Sequence, residues 1–227
     1  MNSKRNQTLC AITAVVFLLA VVTGGCGTAA KRKAAGESAA IASLPEGVLF
    51  ADDFQGRRLE GWTPVNGRWS IKDGVLRQGR ASREDLSEGF YFLVVSDLPT
   101  SHYRIEVDVR FPDGPSRQDF AGIAFRYQDP FNFFAYRLCD FEMYQDRIEV
   151  YELCKGQRRL NQGSRDLVVN PQQWYRLVVE VEDFNIRTYL DGKPVGNLVN
   201  HNLPTGAAGL LTKESKAEFR RFRVLEL

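Results

Sequence analysis

Tyr103-Arg-Ile-Glu-Val-Asp-Val-Arg-Phe111 is the stretch that decides the fold class. Ile105, Val107 and Val109 fall on one side of an extended chain, and Glu106, Asp108 and Arg110 on the other. A strict period of two marks a strand with one face on a core and one in water. On a helix the same six residues would be scattered round the circumference.

The pattern repeats outward from there. Residues 120–127 and 132–138 read as a hairpin around Gln128-Asp-Pro-Phe131. Residues 147–153, 174–181 and 185–190 follow, and 209–212 and 218–225 close the chain. Turn chemistry separates the runs at Asp73-Gly74, Asp113-Gly114-Pro115, Asp191-Gly192 with Pro194, and Pro204-Thr-Gly206. No segment keeps a helical apolar stripe over three turns, and residues 85–88 have room for one turn of helix at most. Many short strands without crossover helices predict an all-β protein, an antiparallel β-sandwich with two stacked sheets.

Composition limits the chemistry. The 227 residues are 44% hydrophobic and 26% charged, the balance of a folded protein. From Cys26 onward acids and bases are equal in number, with no basic block in the folded body, which argues against nucleic acid as a partner. The two histidines, His102 and His201, are far apart, and no Cys-x-x-Cys, His-x-x-x-His or Gly-rich phosphate loop occurs. A zinc or nucleotide-dependent enzyme is not expected.

The chain divides into three parts. Residues 1–25 read as a signal peptide: Lys4 and Arg5, an apolar run over residues 9–22, then Thr23-Gly-Gly-Cys26. That run is shorter than the roughly 20 residues a membrane span needs. Small residues before a Cys resemble the bacterial lipoprotein processing site, which makes Cys26 the expected lipidation site, although Thr23 stands where Leu is usual. Residues 26–45 are small and polar and read as a flexible tether. Residues 46–227 form the sandwich. The expected location is the bacterial cell envelope, with the protein exported and held to a membrane by its N-terminal lipid.

Leu49-Phe-Ala-Asp-Asp-Phe54, Leu59-Glu-Gly-Trp62, Gly67-Arg-Trp69 and Lys72-Asp-Gly-Val-Leu76 form an opening of specific order. Gly122-Ile-Ala-Phe-Arg126, Trp174-Tyr175, Tyr189-Leu-Asp-Gly192 and Phe219-Arg-Arg-Phe222 agree with it. Together they resemble the concanavalin A-like lectin/glucanase superfamily, nearest to laminin-G-like and 3-keto-disaccharide hydrolase-type domains. The resemblance implies a jelly-roll sandwich. It leaves activity open, because this superfold carries lectins, hydrolases and adhesion modules.

Catalytic residues are hard to find. The superfamily's glucanases set three carboxylates along one strand, and Glu106 and Asp108 match the first two, but Arg110 and Phe111 stand where the last Glu belongs. Arginine does not shuttle protons near neutral pH, so Glu106, Asp108 and Arg110 are read as a strand's polar face. Glu149, on one face with Tyr151 and opposite to Glu152, is the alternative catalytic candidate for a glycoside or keto-disaccharide hydrolase or lyase.

The hairpin predicts a binding face. With residues 128–131 as its loop, Gly122, Ala124, Arg126, Phe133, Ala135 and Arg137 share one side, with Arg147, Glu149 and Tyr151 of the next strand. Ile123, Phe125, Phe134, Tyr136, Ile148 and Val150 share the other and belong to the core. Small residues leave a hollow, charged groups direct hydrogen bonds, and rings fit a sugar face. Arg126, Phe133, Arg137, Glu149 and Tyr151 are therefore the expected carbohydrate-binding residues. The leading expectation is binding without catalysis; the other two are the enzyme and a structural or adhesion module of the envelope. Trp62, Trp69 and Trp174 are assigned to packing. No cofactor is required; Asp52 and Asp53 are the candidates for Ca²⁺, two oxygen donors where such a site takes six to eight. Cys139 and Cys154 lie out of register and are expected as free thiols.

Overall fold

The computed structural model describes residues 44–79, 89–113, 119–140, 147–164, 167–213 and 215–227. The leader, Cys26, the tether up to residue 43 and residues 85–88 lie outside this set. The chain forms β1 (Val48–Asp52), β2 (Thr63–Pro64), β3 (Trp69–Lys72), β4 (Val75–Gln78) and β5 (Phe90–Asp97). It continues with β6 (His102–Arg110), β7 (Asp119–Asp129), β8 (Asn132–Asp140), β9 (Arg147–Cys154) and β10 (Gln157–Ser164). The last five are β11 (Tyr175–Glu182), β12 (Asn185–Leu190), β13 (Lys193–Val199), β14 (Ala207–Lys213) and β15 (Ala217–Glu226).

These strands build two antiparallel sheets. Sheet A has the order β13-β12-β11-β6-β15-β4-β3, with β1 also paired to β15, and sheet B the order β10-β9-β8-β7-β14-β5-β2. Alternation explains the stacking. Ile105, Val107 and Val109 of sheet A meet Ile123, Phe125, Phe134, Tyr136, Ile148 and Val150 of sheet B in one core. Phe54, Trp62 and Phe222 close that core under β1, with the Trp62 and Phe222 rings 4.8 Å apart. Among the described residues this core draws on positions from Leu49 to Val224, within the compact unit Ala42–Leu227.

Three hairpins turn on two residues, at Asp73-Gly74, Lys155-Gly156 and Asp191-Gly192, each with positive φ at both positions. This is the tight turn whose twist matches paired strands.

Sequence alternation finds eight of the strands and overlooks three long ones. β5 reads Phe-Tyr-Phe-Leu-Val-Val and does not alternate, because both of its faces are buried. β10 is polar and sits at the edge of sheet B. β13 carries Pro194 at the edge of sheet A, where a missing N–H costs no ladder bond.

Candidate functional site

The outer face of sheet B is where the chain departs from an ordinary sandwich. On a solvated face the outward residues should be polar. Here Phe90, Phe92, Val94, Tyr127, Phe133, Tyr151, Leu153 and Leu211 form a second buried cluster with Ala124, Ala135 and Ala207. Small residues occupy its middle, where Ala135 pairs with Ala124 and Ala124 with Gly209. Rings surround them: Phe133 lies 5.3 Å from Phe90, 4.9 Å from Phe92 and 6.1 Å from Tyr151, and Phe92 lies 4.9 Å from Tyr127.

Arg137 and Glu149 stand among these rings as cross-strand partners. Nε and Nη2 of Arg137 donate to Glu149 Oε1 at 2.9 and 2.5 Å. The guanidinium lies between the Phe120 ring at 3.9 Å and the Tyr151 ring at 4.0 Å. Such desolvated cation–ring contacts are each worth about 2 kcal/mol. The pair is nearly covered: Arg137 is 5% exposed and Glu149 1%. Lys213 adds a cation 5.0 Å from the Phe90 ring. The Tyr127 phenol is pushed up to about 12, by burial first and then by the Asp129 carboxylate, and so stays a neutral donor at physiological pH.

Phe133, Arg137, Glu149 and Tyr151 thus share one face, in the register their spacing predicts. Arg126 does not join them. Pairing runs in order from Gly122–Arg137 to Phe125–Phe134 and then slips, resuming at Asp129–Asn132. Arg126 sits in this bulge with φ 47, so both Phe125 and Arg126 turn inward and Tyr127 takes the outer place. Inside, Arg126 donates from Nη1 to the Asn200 and Asn202 carbonyls at 3.1 and 3.4 Å, and from Nη2 to the Asp183 carbonyl. Burial pulls its guanidinium pKa down, against the opposing pull of Tyr103, Asp183 and Glu152. Arg126 is a plug at one end of the core, and the expected shared hollow of Arg126, Arg137 and Glu149 is corrected accordingly. Glu152, as expected, points away from Glu149; it accepts from Asn161, Asn200 and Asn202 at 3.1, 2.9 and 2.6 Å.

Phe90, Phe92, Phe120, Tyr127 and Lys213 belong to the face but escaped the sequence reading. The unbroken apolar run of β5 was their signal, since a strand buried on both sides needs a second apolar layer.

The opposite outer face, on sheet A, is polar. Asp108 accepts from Arg176 at 3.1 Å, from Arg220 at 2.9 Å and from Arg221 Nε at 2.7 Å. Glu106 binds Arg104 at 2.6 Å and also Arg176. Glu180 accepts from Arg104, Arg187 and Tyr189; burial opposes its ionisation, but the Tyr189 and Arg104 bonds hold its carboxyl below the usual range. Glu106 and Asp108 are thus held in ion pairs on a polar strand face. Two of the tryptophans pack as assigned, Trp62 in the core and Trp69 against Phe219, while Trp174 stands on this outer face between Arg110 at 4.5 Å and Arg220 at 4.2 Å.

Beside β1, two open hollows of ≈ 320 and ≈ 470 Å³ share Ala51 and Asp52. Both Asp52 oxygens are already engaged, by Phe54 N at 2.7 Å and Trp62 Nε1 at 2.8 Å. Among the described residues no group of three or more His, Cys, Asp or Glu is placed to hold a metal ion. Cys139 pairs with Arg147 and Cys154 with Gln157, so the two are not cross-strand partners, and no disulfide joins them.

The model of the 3-keto-alpha-glucoside-1,2-lyase-like domain matches residues 49–225. The chain belongs to this family. Solved structures share the family member's sandwich. One is the carbohydrate binding module CBM66 from Bacillus subtilis, with 21% identity, TM-score 0.62, and 73% of this chain aligned to 96% of that one. The GH43 protein BlXynB from Bacillus licheniformis has 19% identity and TM-score 0.63, with 82% of this chain aligned to 40% of that one. A Bacillus subtilis protein with a galectin-like fold has 14% identity and TM-score 0.61, with 79% and 96% covered. No curated protein matches the chain in sequence.

Proposed function

We propose that the chain is an exported, lipid-anchored carbohydrate-binding protein that takes its ligand on the outer face of sheet B. The observation that carries this reading is the Arg137–Glu149 pair set between aromatic rings on a face that an ordinary sandwich leaves polar. A flat apolar ring covers one side of a sugar, and a fixed guanidinium–carboxylate unit orders its hydroxyls. Phe120, Tyr127, Arg137 and Tyr151 keep 5–8% exposure and Lys213 beside them more, which makes these the first contacts. Likeness to a carbohydrate binding module supports the reading at the level of fold, and family membership adds keto-sugars to the ligands worth testing. Cys26 is the proposed lipid site.

The family's name favours a second reading, in which the same face is catalytic. A ketone at C3 acidifies the C2 proton; a carboxylate base removes it, and the C1–O bond breaks with its electron pair leaving on the aglycone oxygen. Among the described residues of the face, Glu149 is the carboxylate in position to serve as base, with Arg137 beside it to stabilise the enolate oxygen. Calorimetric titration with xylo-oligosaccharides and a 3-keto-α-glucoside, together with a product assay on the latter, separates the two. Binding without product, weakened at least tenfold by Tyr151→Ala, is the expected result. Product formation abolished in Glu149→Gln would establish the lyase, and no binding to either probe would leave the adhesion reading.

A further inference from the structure

We infer that the outer face of sheet A is a docking surface for an anionic phospholipid membrane, which turns the sugar face of sheet B away from the lipid. Seven arginines there share five carboxylates. The two kinds of charge lie at different depths. Four of the five carboxylate side chains, those of Asp108, Glu218, Glu106 and Glu180, are only 2–13% exposed. The arginine side chains are more exposed, from 28% at Arg110 to 53% at Arg221. What a flat partner meets at contact height is therefore a sheet of positive charge, with Trp174 and Tyr189 among it as amphipathic rings suited to a headgroup layer.

Global charge does not produce this. Without the five bases and one acid of residues 1–43, the chain has 25 basic against 27 acidic side chains, a net negative body. Sheet A's outer face departs from this balance, with seven arginines to five carboxylates in its ion pairs. The chain also enters the sandwich on that sheet: β1 pairs with β15, and Glu226 N donates to Gly47 O at 2.8 Å. Between Cys26 and this entry the sequence carries Lys31-Arg32-Lys33, a second basic element. The 18 residues from Gly27 to Leu44 reach about 60 Å when extended, ample for the face to lie flat. A lipid chain with a basic patch is a two-signal anchor.

The test uses residues 42–227, the compact unit that holds the core of the described residues, so neither leader nor lipid contributes. Sedimentation with phosphatidylglycerol vesicles should pull this net negative protein down, phosphatidylcholine vesicles should not, and about 0.5 M salt should release it. At roughly fivefold per arginine, Arg187→Gln with Arg221→Gln should weaken binding about 25-fold. Arg158→Gln with Arg159→Gln, an equal charge change on the exposed β10, should leave it unchanged. The salt release reads the same face without any substitution, should the first pair disturb folding. Equal binding to both vesicle types, or equal loss in both double variants, would overturn the inference. So would retention by polygalacturonate but not by vesicles, which would make the partner an acidic polysaccharide. Sugar binding, measured on the same proteins, fails or succeeds independently.

Discussion

Arg137 and Glu149 show how one register decides a site. They face each other because β8 and β9 pair 137 with 149, where the sequence placed them only on one face. A buried ion pair is held by its hydrogen bonds rather than by net attraction, so breaking it costs more than replacing it. Arg137→Met should cost about 3–5 kcal/mol in urea unfolding, because Glu149 is left as an uncompensated buried charge. Adding Glu149→Leu to it should recover most of that loss. A double variant as unstable as the single one would mean that the pair is not the coupled unit described. Arg126 teaches the converse: its residue type suggested a ligand contact, but a left-handed backbone at that position sends it into the core.

The bulge in β7 is the element that the sequence concealed. Alternation fixes which side a strand residue faces only while pairing stays in step, and one slip reverses the order. The partner of the slip is Gly206, since a Cβ there would lie 2.5 Å from the Arg126 carbonyl carbon and 2.6 Å from the Tyr127 oxygen. Gly206→Ala should therefore cost about 2–4 kcal/mol, whereas Gly192→Ala, in an equally unusual conformation but with nothing within 4 Å, should cost roughly 1 kcal/mol. Equal losses in thermal unfolding would show that the backbone at the bulge gives way. β5 was hidden for a different reason. Its Phe90–Val95 run has no period because its outward side chains Phe90, Phe92 and Val94 join a second buried cluster on the outer face of sheet B, and that cluster is the clue to the proposed ligand face.

On the scale of the molecule, two faces of one sandwich have been given different chemistry. Sheet A presents guanidiniums over buried acids; sheet B presents rings over small residues with one ion pair set among them. The fold was legible because strand alternation and turn chemistry agree along most of the chain. That Phe133, Arg137, Glu149 and Tyr151 share one face was legible because β8 and β9 stay in step through them. What lies under an outer layer was not, since that depends on contacts distant in sequence. The central claim is that sheet B's outer face receives the ligand. Titration of ¹⁵N-labelled residues 42–227 with xylo-oligosaccharides and a 3-keto-α-glucoside, followed by NMR, tests it directly. The account predicts saturable shifts at the Arg137 Nε–H and the backbone of Phe133, Glu149 and Tyr151, with Arg126 and the Asp52 hollow silent. Shifts centred on Asp52, Arg221 and Arg223, with Arg137 unmoved, would contradict it.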